Sequence, residues 1–343
     1  MRVTVVGGGA IGGVTAAALA RAGHDLLVVD VAAEHVAAVN REGLTVETPR
    51  GSWNARMRAV TPAALAGPLD LVLLAVKSQH TSEALDTVAP YLVAGGTVVS
   101  LQNGLNEELI ADRVGAHRAV GCLVNWAADW LAPGRIQHGG SGAFVLGELD
   151  GALSPRVKDL AQLLDVVAST GVTDNIAGYK WAKHVYGALL TATALVDAHV
   201  YDVVERGPAV QRALVRLVAE GMQVAEAAGV RLEAFDEFDP VWYRAGAAGD
   251  AEAIGRAMAA IAGHYRAHTK TKTGIWRDLA VRKRKTEVGA HLGATIAKAE
   301  ACAVSVPLTR RLLALIGELE AGRRAMAWEN LDELVALAGP PGR

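Results

Sequence analysis

The sequence predicts an α/β protein with an N-terminal Rossmann domain, built on a doubly wound parallel sheet, and a C-terminal all-α domain. Two observations lead to this prediction. The chain opens with a strand (Val3 to Val6), a glycine-rich turn, an alanine-rich helix and a second strand (Leu26 to Val29). Its second half instead carries long segments with helical spacing. Because 343 residues exceed the usual size of one domain, we expect domains at residues 1–173 and 174–343.

The glycine-rich turn predicts a dinucleotide site. Gly7, Gly9 and Gly12 fit the pattern G-x-G-x-x-G, in which the glycines permit a tight turn, close approach to a pyrophosphate and close helix packing. Ala10 and Ile11 lie between them, at the start of the helix whose free N–H groups would face the phosphates. The alternative is a glycine-rich turn in some other parallel-sheet protein.

The end of the second strand predicts which dinucleotide binds. Asp30 stands where a carboxylate can accept hydrogen bonds from the adenosine ribose hydroxyls. A 2′-phosphate would meet this negative charge, and the following "VAAEH" offers no Arg or Lys to bind it. We therefore predict NAD as the cofactor, with NADP less favoured. The alternative for Asp30 is a polar strand end without a ligand.

Two further apolar runs, "LDLVLLAV" and "GGTVVSL", read as buried strands that end in polar residues. The carboxyl ends of parallel strands line the ligand crevice of such a sheet. Lys77 and Asn103 follow these runs and are candidates for contact with cofactor or substrate. A lysine at a strand end is also often merely solvated.

The second half is predicted to be helical, and one of its helices carries a candidate catalytic lysine. Lys183, Gly187 and Thr191 are four residues apart and share a helix face. A partly desolvated lysine beside another cation, such as Lys180 or His184, has a lowered pKa that suits proton transfer. The alternative is a lysine whose stem packs on an amphipathic helix. The predicted helices span 178–206, 208–229, 250–268, 274–303 and 307–338.

The chain resembles the ketopantoate reductases, the 2-dehydropantoate 2-reductase family, in an ordered set of short motifs. These are "GGGAIGG" at the start, "VKSQ", "QNG", "APGRIQHGG", "KWAK" at 180–183 and "KTEVGAHLG" at 285–293. The set covers nearly the whole chain. The resemblance implies an N-terminal Rossmann domain, a helical C-terminal domain, and hydride transfer between a nicotinamide and a 2-keto acid.

The resemblance also implies roles for individual residues. Lys183 matches the family's general acid, which protonates the substrate carbonyl. Lys77 matches a lysine near the nicotinamide ribose, and Asn103 an asparagine that touches cofactor and substrate. Glu287 matches the glutamate that helps to fix the ribose and the catalytic geometry.

The chain departs from the family pattern at the substrate-binding positions. Gly187 and Thr191 stand where two asparagines usually follow the catalytic lysine, and Thr273 or Gly274 replaces an expected serine. Removing hydrogen-bonding partners changes which substrates a site accepts. We therefore predict Gly187, Thr191 and Thr273 as substrate-binding positions, with open space at Gly187 that admits a bulkier or differently polar group.

Composition excludes several classes of partner. A formal net charge of −2 gives no field that favours nucleic acid or an anionic membrane, and no apolar run approaches the ~20 residues of a membrane helix. Cys122 and Cys302 have no disulfide or metal-site spacing. The early glycines argue against an export signal. We expect a cytoplasmic protein, a homodimer through its helical domain, that binds a small molecule and no metal.

These features predict a nicotinamide-dependent oxidoreductase that interconverts a hydroxyl and a carbonyl on a small, carboxylated substrate. NAD preference suits the oxidative direction. One alternative is 2-dehydropantoate 2-reductase activity itself, and another is an NAD-binding sensor without catalysis.

Overall fold

The structure is a computed structural model that describes residues 2–140, 142–267 and 270–340. Its internal contacts divide into two compact units, Met1–Ile176 and Ala177–Arg343. The division falls after residue 176, close to the sequence-predicted boundary after residue 173.

The first unit combines strands and helices. Its described helices are α1 (Ala10–Arg21), α2 (Ala33–Glu42), α3 (Thr81–Val88), α4 (Glu107–Val114) and α5 (Pro155–Asp165). Its described strands are β1 (Val3–Val6), β2 (Leu26–Val29), β3 (Leu44–Thr48), β4 (Gly51–Ala55), β5 (Arg58–Val60), β6 (Leu69–Leu74), β7 (Leu92–Ser100), β8 (Ala119–Asn125), β9 (Ala128–Ala132), β10 (Arg135–His138), β11 (Ala143–Glu148) and β12 (Ser169–Val172).

The larger sheet has eight strands in the order β12-β11-β8-β7-β6-β1-β2-β5. From β5 to β8 this is the 3-2-1-4-5-6 order of a dinucleotide-binding sheet, with the strand order reversing beside β1. These strands pair in parallel, whereas β8 and β11 pair antiparallel. The Rossmann prediction is therefore confirmed, with one antiparallel pairing in an otherwise parallel sheet.

The two faces of this sheet bury separate cores, as period-2 alternation requires. In β6, Leu71 and Leu73 belong to one buried cluster, and Val72 and Leu74 belong to the other. A strand buried on both faces reads as a continuous apolar run, which is why its sequence showed no polar alternation.

A second sheet, which the sequence analysis missed, covers helix α1. Its four strands have the order β4-β3-β10-β9, and all of them contact α1. A Cβ atom added at Gly13 would lie 2.1 Å from Cδ1 of Ile136 in β10. Helix α1 thus lies between two sheets, which explains why its buried positions are mostly Gly and Ala.

The second unit has helices and no strand among its described residues, apart from an isolated bridge between Phe235 and Phe238, as the all-α prediction requires. Its helices are α6 (Ile176–Thr193), which begins at the last residue of the first unit, α7 (Val200–Val204), α8 (Pro208–Ala227), α9 (Pro240–Ala247), α10 (Ala251–Ala267), α11 (Gly274–Ala280), α12 (Val288–Ala301), α13 (Pro307–Glu320) and α14 (Glu329–Ala338).

Three of the predicted helices are too long, because the structure has two separate helices in each of these segments. The segment 178–206 breaks between α6 and α7, where the side chain of Asn330 donates a hydrogen bond to the carbonyl of Leu195. The segment 274–303 breaks between α11 and α12, where Lys283 has a φ of 48°.

The third, 307–338, breaks after α13, near Gly322 with a φ of 66°. Helix α9 was not predicted. The predicted helix 250–268 matches α10, except that residue 268 lies outside the described residues.

In the described part of the chain, no helix combines the length and apolar character needed to cross a membrane.

A buried carboxylate fixes the start of α13. Its N-cap residue, Val306, has no capping side chain. Glu220 of α8 instead accepts hydrogen bonds from the backbone N–H groups of Leu308 and Thr309, at 2.8 Å each, and from the Thr309 hydroxyl. Burial raises the pKa of Glu220, and the three hydrogen bonds oppose this rise. The first turn of α13 is thus capped from another helix.

Candidate active site

The glycine turn leaves no room for side chains at Gly7 and Gly12. Gly7 has a φ of 96°, and its added Cβ would lie 2.9 Å from backbone atoms of Ala75 and Val76. An added Cβ at Gly12 would lie 2.0 Å from the carbonyl oxygen of Gly7. The turn therefore packs directly against the end of β6, as the glycine pattern requires.

Gly9 behaves differently from its neighbours. It is the N-cap of α1, and an added Cβ would meet no atom of the chain within 4 Å. Ala10 and Ile11 follow it and are partly exposed. Since the first N–H groups of a helix have no partner within the helix, the open space at Gly9 lies beside donors suited to a phosphate. This arrangement fits the pyrophosphate of a dinucleotide.

Asp30 is held at the edge of the glycine turn. One of its carboxylate oxygens accepts the N–H of Gly8 at 2.7 Å, and the other accepts the N–H of Ala32 at 2.8 Å. Asp30 is partly exposed, and each carboxylate oxygen has a second lone pair. The carboxylate is thus fixed with capacity to accept further hydrogen bonds from ribose hydroxyls.

The residues after Asp30 offer little to a 2′-phosphate. Val31 is 76% exposed. His35, whose side chain is the only one in "VAAEH" that contains nitrogen, is buried, and its Nδ1 accepts the N–H of Gly134 at 3.1 Å. His35 therefore joins α2 to the small sheet.

Lys77 and Asn103 lie in adjacent loops at the carboxyl ends of the neighbouring strands β6 and β7. Both residues are exposed. The carbonyl of Asn103 accepts hydrogen bonds from the Ser78 hydroxyl at 2.7 Å and the Asn106 side-chain amide at 2.8 Å. The structure thus brings the two predicted residues close to each other and, through Val76, to Gly7.

Buried polar side chains that were not predicted hold these loops together. Gln102 is buried, and its amide donates to the carbonyl of Val76 at 2.9 Å and to the Thr81 hydroxyl at 2.8 Å. The sequence feature that could have identified Gln102 is its position at the end of a buried strand, where a polar side chain is stable only when it is hydrogen-bonded.

Helix α6 presents Lys183 and Gly187 on one face, and both are partly exposed. Thr191 differs, because it is fully buried and its hydroxyl donates to the carbonyl of Gly187 at 2.8 Å. The Thr191 hydroxyl is thus engaged within the helix, and its contact with substrate stays a prediction.

The prediction of open space at Gly187 is wrong. An added Cβ at Gly187 would lie 3.1 Å from both Cε1 and Nε2 of His291, which is one turn after Glu287. The imidazole of His291, from α12, therefore covers the glycine.

Lys180 and His184 are both buried. Lys180 is 5% exposed and is thus more buried than Lys183. The pKa of His184 is lowered well below its usual value, first by burial and then by the neighbouring His291 and Lys180. His184 is therefore neutral at pH 7 and does not supply the predicted cationic influence on Lys183, which leaves Lys180 for that role.

Glu287 and Thr273 begin helices. Glu287 is the N-cap of α12 and is partly exposed, and the preceding Thr286 is fixed by two hydrogen bonds to Glu320. Thr273 is the N-cap of α11, and its hydroxyl accepts the N–H of Trp276 at 3.1 Å. Thr273 is 8% exposed, so its contact with substrate stays a prediction. Among the described residues no cluster of His, Cys, Asp or Glu is arranged to hold a metal.

The Rossmann sheet order, the glycine turn and the separate helical unit define a class, the proteins that combine an N-terminal dinucleotide-binding fold with a helical C-terminal unit. The family model "Ketopantoate reductase PanE/ApbA" matches residues 3–151, and "Ketopantoate reductase PanE/ApbA C terminal" matches residues 175–320. The chain belongs to the ketopantoate reductase family, and the resemblance seen in the sequence is confirmed.

Individual relatives agree with this assignment. A 2-dehydropantoate 2-reductase from Mesorhizobium japonicum is 33% identical over 257 residues, which cover 67% of this chain and 78% of that protein. A PanE/ApbA family ketopantoate reductase from Ralstonia eutropha is 26% identical with a TM-score of 0.78, covering 95% of this chain and all of that one. D-mandelate dehydrogenase, solved with NADH and anilino(oxo)acetate, shares the fold at 20% identity with a TM-score of 0.80, covering 94% of this chain and 99% of that one.

Proposed function

We propose that this chain is an NAD-dependent oxidoreductase that interconverts the hydroxyl and carbonyl groups of a small 2-hydroxy or 2-keto acid. The observation that carries the proposal is the open space at Gly9 beside the fixed carboxylate of Asp30. Gly7, Gly9, Ala10, Ile11, Gly12 and Asp30 would hold the dinucleotide, with Lys77, Asn103 and Glu287 near its ribose and nicotinamide. When bound, the nicotinamide supplies or accepts the hydride.

The chain itself supplies the proton. In the reductive direction the ammonium group of Lys183 donates a proton to the carbonyl oxygen as the carbon gains the hydride. In the oxidative direction the neutral amine accepts the proton of the hydroxyl. Asn103 would hold the substrate by its amide. A lysine that is partly exposed on its helix can exchange this proton with solvent between turnovers.

Fluorescence titration with NADH and NADPH, followed by a screen of 2-hydroxy acids for NADH formation, tests this function. A chain that binds neither dinucleotide, or that binds NADH but oxidises no hydroxy acid and reduces no keto acid, contradicts it. Tight NADH binding combined with an unchanged cellular phenotype of Lys183→Ala would favour the alternative, a sensor without catalysis.

A second candidate is 2-dehydropantoate 2-reductase activity itself, which is favoured by the names of the curated relatives. The absence of the family's asparagines at Gly187 and Thr191 opposes it. A ketopantoate kcat/KM well above that of every other keto acid tested would establish the second candidate.

We also propose that the protein is cytoplasmic and forms a homodimer through residues 174–343. Sedimentation equilibrium would test the oligomeric state.

The cofactor preference gives a separate prediction. We expect NADH to bind more tightly than NADPH, because the fixed carboxylate of Asp30 repels a 2′-phosphate and Val31 offers it no donor. The variant Asp30→Ala/Val31→Arg should reverse this order, since it removes the repulsion and adds a guanidinium at an exposed position. Both dissociation constants are measured by fluorescence titration.

The single variant Asp30→Ala is the matched control, and it should weaken NADH binding without creating tight NADPH binding. Tighter binding of NADPH by the unaltered chain would overturn the interpretation of this strand end.

A further inference from the structure

His35 is a buried histidine in the first turn of α2. It is 2% exposed, and its Nδ1 accepts the N–H of Gly134 at 3.1 Å. A ring nitrogen that accepts a hydrogen bond from a backbone N–H carries no hydrogen itself, so the ring hydrogen is on Nε2. Nε2 is buried and has no hydrogen-bond partner in the described part of the chain. His35 thus keeps an unused donor in the interior of the first unit.

The unused donor lies beside the glycine turn and Asp30. Nε2 of His35 is 3.2 Å from the point that a Cβ of residue 8 would occupy, and Oδ2 of Asp30 is 3.4 Å from the same point. The pattern G-x-G-x-x-G leaves residue 8 unspecified. Because this residue is Gly8, the space next to the donor and the carboxylate contains no side chain from the turn.

The carboxylate of Asp30 is also the group proposed to hold the adenosine ribose. Oδ2 accepts the N–H of Gly8 at 2.7 Å and Oδ1 accepts that of Ala32 at 2.8 Å, which leaves each oxygen a second lone pair. A buried donor without a partner is unfavourable in the unliganded chain. An interaction that the donor gains only in the occupied site favours that site, since a difference between two states shifts their equilibrium.

We propose that His35 is a positioning residue for the dinucleotide, which acts through Asp30. When the carboxylate moves to accept the ribose hydroxyls, the Nε2–H of His35 donates a hydrogen bond to Oδ2 and holds the carboxylate in this orientation. His35 has this role only if the chain binds a dinucleotide, so the proposal rests on the function proposed above. The glycine at position 8 leaves the space in which this contact forms.

Burial and the bond to Gly134 both strengthen the contact. Water is excluded around Nε2, so a hydrogen bond from it to a carboxylate is stronger than one at an exposed site. The N–H of Gly134 orients the imidazole, and a donor that is fixed in advance needs little ordering on binding. Gly134 lies in the turn between β9 and β10. The small sheet therefore contributes to the cofactor site through one side chain.

Two substitutions separate the roles of the two nitrogen atoms of His35. Asparagine places its amide near the position of Nδ1, so His35→Asn keeps a partner for Gly134 but has no atom at the position of Nε2. Glutamine places its amide near the position of Nε2, so His35→Gln keeps the donor but loses the bond to Gly134. The two variants are equally polar and are matched controls for each other. Fluorescence titration measures NADH affinity, and thermal unfolding measures stability.

We expect His35→Asn to bind NADH about tenfold more weakly than the wild type, whereas His35→Gln should stay within about threefold of it. The melting temperatures should follow the opposite order, because His35→Gln loses the bond between α2 and the turn at Gly134. A purely structural role for His35 would instead make the variant with the lower melting temperature the weaker binder.

A double-mutant cycle with Asp30→Ala tests whether His35 acts through the carboxylate. In the Asp30→Ala background, the further change His35→Asn should have no additional effect on NADH affinity, because the acceptor is already absent. If His35→Gln does not fold, this cycle decides the question.

Three results would overturn the proposal while the oxidoreductase function stands. These are an unaltered NADH affinity in His35→Asn, an equal loss of affinity in both variants, and an effect of His35→Asn that is as large without the Asp30 carboxylate as with it. In each case His35 serves only to pack α2. If the wild type binds neither NADH nor NADPH, the proposed function fails, and the role of His35 fails with it.

Discussion

Replacing Lys183 by alanine should lower kcat by at least about two powers of ten, the usual scale for removal of a general acid. Affinity for NADH should stay within about twofold, because the dinucleotide would be held by the glycine turn and Asp30. Lys183 is partly exposed, so its truncation should also have little effect on the melting temperature. Steady-state kinetics and a fluorescence titration on the same preparation measure all three quantities.

Lys180 provides the comparison, because it is three residues earlier on the same helix. It is 5% exposed, and its replacement by methionine should lower the melting temperature and shift the pH dependence of kcat, because the cation near Lys183 is lost, but the maximal kcat should fall much less than in Lys183→Ala. A loss of kcat in Lys180→Met as large as that in Lys183→Ala, with the fold intact, would transfer the proton-donor role to Lys180.

The glycine turn gives a second large effect, in which two similar substitutions act differently. Gly12→Ala should lower the free energy of unfolding by about 3 kcal/mol, because the methyl group would lie 2.0 Å from the backbone carbonyl oxygen of Gly7, and a backbone atom can shift only together with the turn. Gly9→Ala should leave stability almost unchanged, since its methyl group meets no atom of the chain and its φ of −67° suits alanine. Gly9→Ala should nevertheless weaken NADH binding at least about tenfold, because its methyl group would occupy the space in which the pyrophosphate is proposed to bind.

Thermal or urea unfolding and NADH titration separate the two effects. Unaltered NADH affinity in Gly9→Ala would mean that the dinucleotide does not pass over this turn. Full stability of Gly12→Ala would mean that the Gly7 carbonyl can move away from the added methyl group.

Local sequence predicted those parts of the fold that local contacts determine. The strands at 3–6 and 26–29 were predicted with the bounds that the structure has, since glycines and β-branched runs mark them directly. The small sheet was missed because β3 pairs with β10 across the chain, Thr45 opposite Arg135. The helix breaks were missed for a similar reason, since Asn330 and Glu320 stabilise them from distant positions.

The candidate site divides in the same way. The positions of Asp30, Lys77 and Asn103 follow from strand ends, and the sequence therefore predicted them. The relation between Gly187 and His291 could not be predicted, because the two residues belong to separate helices and only packing brings them together. The sequence shows that residue 187 has no side chain, whereas the structure shows that the imidazole of His291 lies beside it.

The capping of α13 by Glu220 has a consequence for how the helical unit assembles. The local sequence at Val306 and Pro307 provides no side chain to cap the helix, so the N–H groups of Leu308 and Thr309 have partners only after α8 has packed against this segment. The residues that pair are 88 and 89 positions apart, and closing such a loop costs chain entropy before the hydrogen bonds repay it. The first turn of α13 is therefore a late product of tertiary assembly, and its order reports whether the bundle around α8 is complete.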